Sequence, residues 1–384
     1  MVAEKMIKII GQDFIWDKLK LVKSKNKVSN AYLFYGHDGT GKEAMAIKFS
    51  ALLNCLNKNL APCGKCSSCL KIKTFQHPNI SLVVPLPKEK TINKNDNPDK
   101  ALTNKTLELI INSFKEKIKN PYLELKIPKA NTILINSIRD IRKKIYMKSF
   151  EEGYKCVLIF EAEKLMGSQQ ESANALLKIL EDTPSNSTFI LCTQYPNKLS
   201  NTIKSRCQSI YFPPLKEDEI HTFITKNYSF LDENSKIISS LSNGSLKLVN
   251  KIIMNDFVKI QKLILKFVAD ITSNFDTRKN LIIQLSKDYK FDTEKVKLNL
   301  NLLSFWFRDC FYVGRNNNTS NLIFSSLVNE LNVFILKYPK ADYTSIIKLI
   351  DNSIDDLNKN IQTNLVFLNL IIEINKKLNK KENE

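Results

Sequence analysis

Short, almost wholly apolar runs alternate with stretches of one-face helical periodicity over the first 214 residues, and beyond that point the runs stop. Runs at 31–35, 132–135, 156–160 and 188–192 have the length and composition of buried strands. Helical patterns follow them, from Ala44 onward, over 138–146 and over 172–180. Strand-like runs without alternation, each leading into a helix, predict a parallel sheet covered by helices. After Pro213-Pro214 only helix remains. Apolar residues recur at Phe257, Ile260, Ile264, Phe267 and Ile271. They recur again at Ile346, Ile350, Ile354, Leu357, Ile361, Leu365, Leu368 and Ile372. Both series have the spacing of amphipathic helices, as expected for a bundle core. Between Lys88 and about Lys129 the composition shifts to Lys, Asn, Asp and Pro, with one amphipathic stretch at 107–118. That segment reads as a partly flexible, solvated insert.

At 384 residues and 43% hydrophobic content, the chain can build two or three domains. No run approaches the roughly 18 consecutive apolar residues that span a bilayer. Residues 1–10 are too short and too charged for a secretory signal, so a cytoplasmic protein is expected. A net charge of +19 suits a polyanionic partner such as nucleic acid. It also suits a chain in which lysine and asparagine are abundant everywhere, so charge alone does not choose.

Chemistry concentrates in three places. Gly36-His37-Asp38-Gly39-Thr40-Gly41-Lys42-Glu43 follows the first apolar run and opens a helix. In a phosphate loop the glycines turn backbone N–H groups toward phosphate oxygens, the lysine neutralises charge, and a Ser or Thr after the lysine holds magnesium. Here Glu43 replaces that hydroxyl. A second metal contact belongs at the end of the 156–160 run, where phosphate-loop proteins carry an aspartate. Phe160 stands there, followed by Glu161, which can still polarise water. With both anchors gone, magnesium and hydrolysis are not expected, although Gly36, Gly39, Gly41 and Lys42 can still hold phosphates at reduced affinity.

Eight cysteines in a chain without an export signal favour metal or buried thiols over disulfides. Cys55, Cys63, Cys66 and Cys69 combine two C-x-x-C steps sharing a cysteine with one thiol upstream. Four protein ligands leave no open position, so a bound zinc would be structural. An iron–sulfur cluster uses the same ligand class. Cys156, Cys192, Cys207 and Cys310 lack ligand spacing. Finally, Arg206 in Ser205-Arg206-Cys207 lies just past the sheet region, placed either for a surface salt bridge or to reach a neighbouring subunit's nucleotide.

Taken together, these motifs resemble bacterial DNA polymerase III clamp-loader subunits, and within them the delta-prime branch. The resemblance covers most of the first 250 residues. It is carried by Ile9-Ile10-Gly11-Gln12, by Asn30-Ala31-Tyr32-Leu33-Phe34 (Asn30 where histidine is usual), by the four cysteines, and by Ile138-Arg139-Asp140. Residues 174–184, Asn-Ala-Leu-Leu-Lys-Ile-Leu-Glu-Asp-Thr-Pro, are its most distinctive stretch. Thr193 falls at the family's first sensor, Ser205-Arg206-Cys207 at its arginine-finger motif, and Lys247 where the second sensor usually has arginine. Asn360-Ile361-Gln362 is faintly similar to the family's last collar helix.

The resemblance implies an AAA+ α/β domain at 1–214 with an inserted zinc module at 55–69. A small helical lid at 215–255 and an all-α collar at 256–384 would follow. It implies a non-hydrolysing stator, part of the polymerase holoenzyme, that offers Arg206 to the ATP of a neighbour. Its implied partners are gamma/tau-like ATPase subunits and a delta subunit in a hetero-pentamer, the sliding clamp and primed DNA, with no membrane. Two other roles compete: an active gamma/tau-like ATPase subunit of the same loader, and a zinc-containing nucleic-acid-binding repair factor.

Overall fold

The computed structural model describes residues 9–379 apart from 58–60, 95, 124, 126, 150, 168–169, 229–231, 255–256, 317–321 and 359–360. Two compact units divide the chain, Met1–Ser229 with Ser242–Asn250 and Phe230–Leu241 with Lys251–Glu384. Residues 215–255, expected as a lid, are thus shared between the units.

The first unit is a five-stranded sheet of β1 (Ala31–Gly36), β2 (Ile80–Val83), β3 (Lys155–Ile159), β4 (Ser187–Thr193) and β5 (Gln208–Phe212). The strands are all parallel in the order β2-β3-β4-β1-β5, with Leu33 opposite Leu191 and Phe34 opposite Ile210. Strands β1 and β4 are buried on both faces, which is why they lack polar alternation. Period two still sorts their side chains. Tyr32 and Phe34 pack with the layer of helices α1 (Asp13–Ser24) and α2 (Lys42–Asn54). Ala31 and Leu33 pack with α5 (Ile135–Tyr146) and α6 (Glu171–Glu181). The edge strand β5 exposes Gln208, Ser209 and Tyr211 and buries Ile210 and Phe212. Helices α3 (Ser67–Lys73), α4 (Asn104–Lys119), α7 (Asn201–Ser205), α8 (Glu217–Asn227) and the start of α10 (Leu246–Met254) complete this unit.

Two expectations change here. The 132–135 run is no strand: Thr132 makes one isolated bridge to Leu86 and Ile135 already begins α5, because a leucine N-cap leads straight into the helix. The 88–129 insert is solvated over much of its length but anchored to the core. Ala101, Leu102, Ile110 and Leu125 join the α1/α2 core, and α4 is held at its start by the Thr103 cap on Thr106.

In the second unit, α9 (Asp232–Leu241) precedes α11 (Phe257–Thr272), α12 (Phe275–Phe291), α13 (Thr293–Asn316), α14 (Val328–Lys337), α15 (Tyr343–Asn358) and α16 (Thr363–Leu378). Trp306, Phe307, Phe324 and Phe334 form its aromatic centre. Of the first apolar series, Ile264, Phe267 and Ile271 are buried, while the side chains of Phe257 and Ile260 lie outside the described residues. The second series was read as one face, and it is two. Ile346, Ile350 and Leu357 are buried, but Leu365, Leu368 and Ile372 are exposed, and α16 buries Val366, Phe367, Leu370, Ile371 and Ile374 instead. A break between α15 and α16 resets the helical phase. Asn360 lies outside the described residues. No helix among the described residues is long and apolar enough to cross a membrane.

Candidate functional site

The phosphate loop joins β1 to α2, and it keeps its glycine geometry. Gly36, Gly39 and Gly41 all have positive φ, at 144°, 73° and 91°. A Cβ on Gly36 would stand 2.2 Å from the Phe212 carbonyl oxygen, so β5 approaches the loop closer than any side chain allows. Helix α2 starts at Lys42, two residues before the expected Ala44, since Gly41 already serves as its N-cap. Gln12 steadies the loop from α1's side, donating to the carbonyls of Thr40 at 3.2 Å and Pro213 at 3.0 Å.

Lys42 and Asp38 of the loop bond to groups of the chain itself. Lys42 Nζ donates to the Gly36 carbonyl at 2.8 Å and to that of His37. Asp38 accepts from Gly39 N–H at 3.0 Å and pairs with Lys247 Nζ at 2.5 Å. Burial would raise the Asp38 carboxyl, but Lys247, Lys42 and the Gly39 N–H outweigh it and hold it below the usual aspartate range. Burial lowers Lys42, with Asp38 opposing. The expected second-sensor residue Lys247 is therefore committed to a carboxylate within the loop.

Glu43 and Phe160, at the sequence positions of the two metal contacts, both line one pocket with Asp38, Lys42, Glu163 and Lys247. Between them lies an ammonium that sequence reasoning missed. Lys117 of α4 is 1% exposed at its side chain. It pairs with Glu43, donates to the Leu123 carbonyl at 2.8 Å and the Pro121 carbonyl at 3.3 Å, and sits 5.3 Å from the Phe160 ring centre. Its signal was present: Thr106, Ile110 and Lys117 share the buried face of α4, and a lysine on that face needs a buried partner. Tyr122 follows, with its hydroxyl accepting from Ile10 N–H at 2.9 Å. Burial, partly offset by that bond, pushes its phenol up to about 12. Glu161 is turned away into a 2.7 Å pair with Lys164, whereas Glu163 accepts from Thr193 Oγ1 at 2.6 Å.

At the far end of α2 the four cysteines converge. Cys55 caps α2, Cys66 caps α3, and all four Sγ atoms lie within 4.8 Å of one another. Tetrahedral zinc with Zn–S bonds of about 2.3 Å needs sulfurs roughly 3.8 Å apart, and Cys63 and Cys69 sulfurs are 4.0 Å apart. Backbone N–H groups already point at the sulfurs: Cys63 to Cys55, Cys66 to Cys63, and Cys69 to Cys66. The N–H groups of Lys65 and Cys66 pull the Cys63 thiol down to about 6, while burial raises Cys55 and Cys69. The donor set fits zinc in number, type and spacing. Ser68 fixes the module, donating to the Asn54 carbonyl at 2.7 Å and touching the buried His77 ring at 3.0 Å. Cys156, Cys192, Cys207 and Cys310 are buried apart from this group, as their spacing suggested.

Arg206 ends α7 and does not line the pocket of its own chain. Its guanidinium, about one-third exposed, pairs with Glu181 at 2.5 Å and donates to the Thr202 carbonyl at 3.1 Å. Glu181 belongs to the distinctive 174–184 stretch, at the end of α6.

The family described as DNA polymerase III, delta subunit, matches residues 11–216, over half of the chain. The chain belongs to the DNA polymerase III clamp-loader subunit family. Its relatives come from more than one branch. The delta-prime subunit of Bacillus subtilis (strain 168) is 22% identical over 352 residues, covering 91% of each chain. The gamma subunit of Buchnera aphidicola (subsp. Schizaphis graminum) is 30% identical over 246 residues, covering 62% of this chain and 55% of that one. The tau subunit of Bacillus subtilis is 28% identical over 245 residues, or 62% of this chain and 35% of that one. The chain therefore spans about half of the gamma relative, about a third of the tau relative, and nearly all of the delta-prime relative. As a clamp-loader family member it is a DNA replication protein built on an AAA+ sheet.

Proposed function

We propose that this chain is the delta-prime-like stator of its loader, a subunit that does not hydrolyse ATP and lends Arg206 to a neighbour's nucleotide. One observation supports this above the others: Glu43 and Phe160 occupy the sequence positions of both magnesium contacts, and the Lys117 ammonium pairs with the first and lies 5.3 Å from the ring of the second. The near end-to-end match to a delta-prime subunit agrees. Under this reading residues 256–384 form the collar that joins gamma/tau-like ATPase subunits and delta in a pentamer acting on the clamp and primed DNA. Cys55, Cys63, Cys66 and Cys69 hold a structural zinc. Arg206 can leave Glu181 cheaply, because an exposed ion pair is worth about 1 kcal/mol or less.

The test is DNA-stimulated ATP turnover by the chain mixed with the ATPase subunit of its own organism. Arg206→Ala should leave assembly intact, shift the chain's own stability by less than about 1 kcal/mol, and cut turnover at the adjoining site by roughly 10³-fold or more. Unchanged turnover in an intact complex would overturn the reading. A second role, as an active gamma/tau-like ATPase, is favoured by the higher identity to gamma and tau. It predicts turnover by the chain alone, abolished by Lys42→Ala.

A further inference from the structure

The insert between β2 and α5 ends in residues that lie in and beside the phosphate pocket. Pro121, Tyr122, Leu123 and Leu125 line it, together with Asp38, Glu43 and Lys247. Each chemical part of a magnesium–nucleotide has a counterpart here from the chain itself. The Lys117 ammonium is the cation, seated against the Glu43 carboxylate that replaces the metal-binding hydroxyl. The Asp38 carboxylate is the anion, bonded to the loop's Gly39 N–H and to Lys247. Tyr122 is the flat ring: it accepts from the Ile10 backbone N–H as a base nitrogen would, and it packs so close to Gly41 that a Cβ there would be 3.1 Å from Cε1.

We infer that Lys117, Pro121, Tyr122, Leu123 and Leu125, with Asp38, are a built-in occupant of this site, holding the phosphate loop in place and keeping nucleotide out. Saturation favours an occupant over a phosphate-binding aid. Lys117 directs its ammonium to three oxygens of its own chain, two of them backbone carbonyls. Charge agrees with this. With Glu161 paired to Lys164, the carboxylates of Asp38, Glu43 and Glu163 are matched by the ammonium groups of Lys42, Lys247 and Lys117. A polyphosphate would find no uncompensated positive charge there and no divalent cation to bridge it. The insert then has a task unrelated to the loader's DNA: it supplies in cis what neighbouring ATPases take from solution.

This inference shares with the stator role only the lack of hydrolysis, and its test needs no partner, so each can fail alone. Magnesium-ADP is titrated calorimetrically into the full chain and into Lys117→Met/Tyr122→Ala. The wild type should show no binding at about 1 mM nucleotide, and the double variant at least about a tenfold gain in affinity that requires magnesium. Micromolar binding by the wild type overturns the inference, as does a folded double variant that binds no better. Hydrogen exchange of the wild type serves where the variant does not fold. Amides of residues 36–42 and of Lys117, Tyr122 and Leu123 should be protected without nucleotide and unchanged by magnesium-ADP. Nucleotide-induced protection of the loop with exposure of Lys117, Tyr122 and Leu123 would again overturn it.

Discussion

The cysteine knuckle and the phosphate pocket lie in one compact unit and solve opposite problems. In the knuckle, four thiols converge on each other, backbone N–H groups point at the sulfurs, and the Lys23 ammonium is near enough for its charge to act on Cys55 and Cys69. Four thiolates outnumber that ammonium, so a fully ionised set needs a cation from outside. In the pocket, carboxylates also converge, yet each of the two that matter has an ammonium of the same chain within ion-pair distance. One site has donors in excess of its own cations, as a metal site requires; the other has its two key carboxylates already paired. Convergent charge signals a ligand only after the chain's own opposite charges have been counted.

The sharpest way to break that contrast is to remove metal. Cys69→Ser, or incubation with a strong chelator, should unfold the 55–69 module, since structural zinc contributes on the order of 10 kcal/mol in small zinc peptides. Thermal unfolding with metal analysis reads the loss, and a module equally stable with and without zinc would place both sites in the self-sufficient class. A smaller effect is expected at the pocket. Lys117→Met strands Glu43 and two carbonyls and should cost about 2–3 kcal/mol in urea unfolding, with Glu43→Gln costing less because it keeps an acceptor for the ammonium. Smallest is the Asp38–Lys247 pair, whose carboxylate is half-exposed. Because Asp38 titrates below its ordinary value, its stabilisation is present above the unfolded aspartate pKa of about 3.9 and is lost as pH falls through the lowered value. Asp38→Asn should therefore lose about 1 kcal/mol or less at neutral pH, and the difference from wild type should shrink as pH falls below the unfolded value. A constant difference across pH would show that the pair contributes packing rather than charge.

Much of the knuckle was legible because its chemistry is local: Cys63, Cys66 and Cys69 fall within seven residues and Cys55 closes the preceding helix. The phosphate loop was legible for the same reason, and so were the two losses at Glu43 and Phe160. Lys117 and Tyr122 were not, because their partners are 74 and 112 residues away in sequence. A lysine in a lysine-rich insert reads as solvated until the helical face it occupies is compared with Ile110. The strand expected at 132–135 failed for a related reason. Four apolar residues satisfy a strand or a helix entry equally, and only the packing of α5 decides. In the second unit, spacing identified helices well but carried one face across a break, so Leu365, Leu368 and Ile372 were assigned to the wrong side of α16.

Helix α2 has one further consequence. Its thirteen residues make a strut about 20 Å long, and every one of them except Glu43 and Lys48 is buried. A rod so enclosed has no solvent face on which to roll or slide; shifting it means repacking the sheet beneath. The knuckle closes one tip and the loop forms the other, so Cys55 and Lys42 are the two ends of a single enclosed rod. A metal held at the sulfur pole would thereby brace the same rod that presents Lys42 at the opposite one.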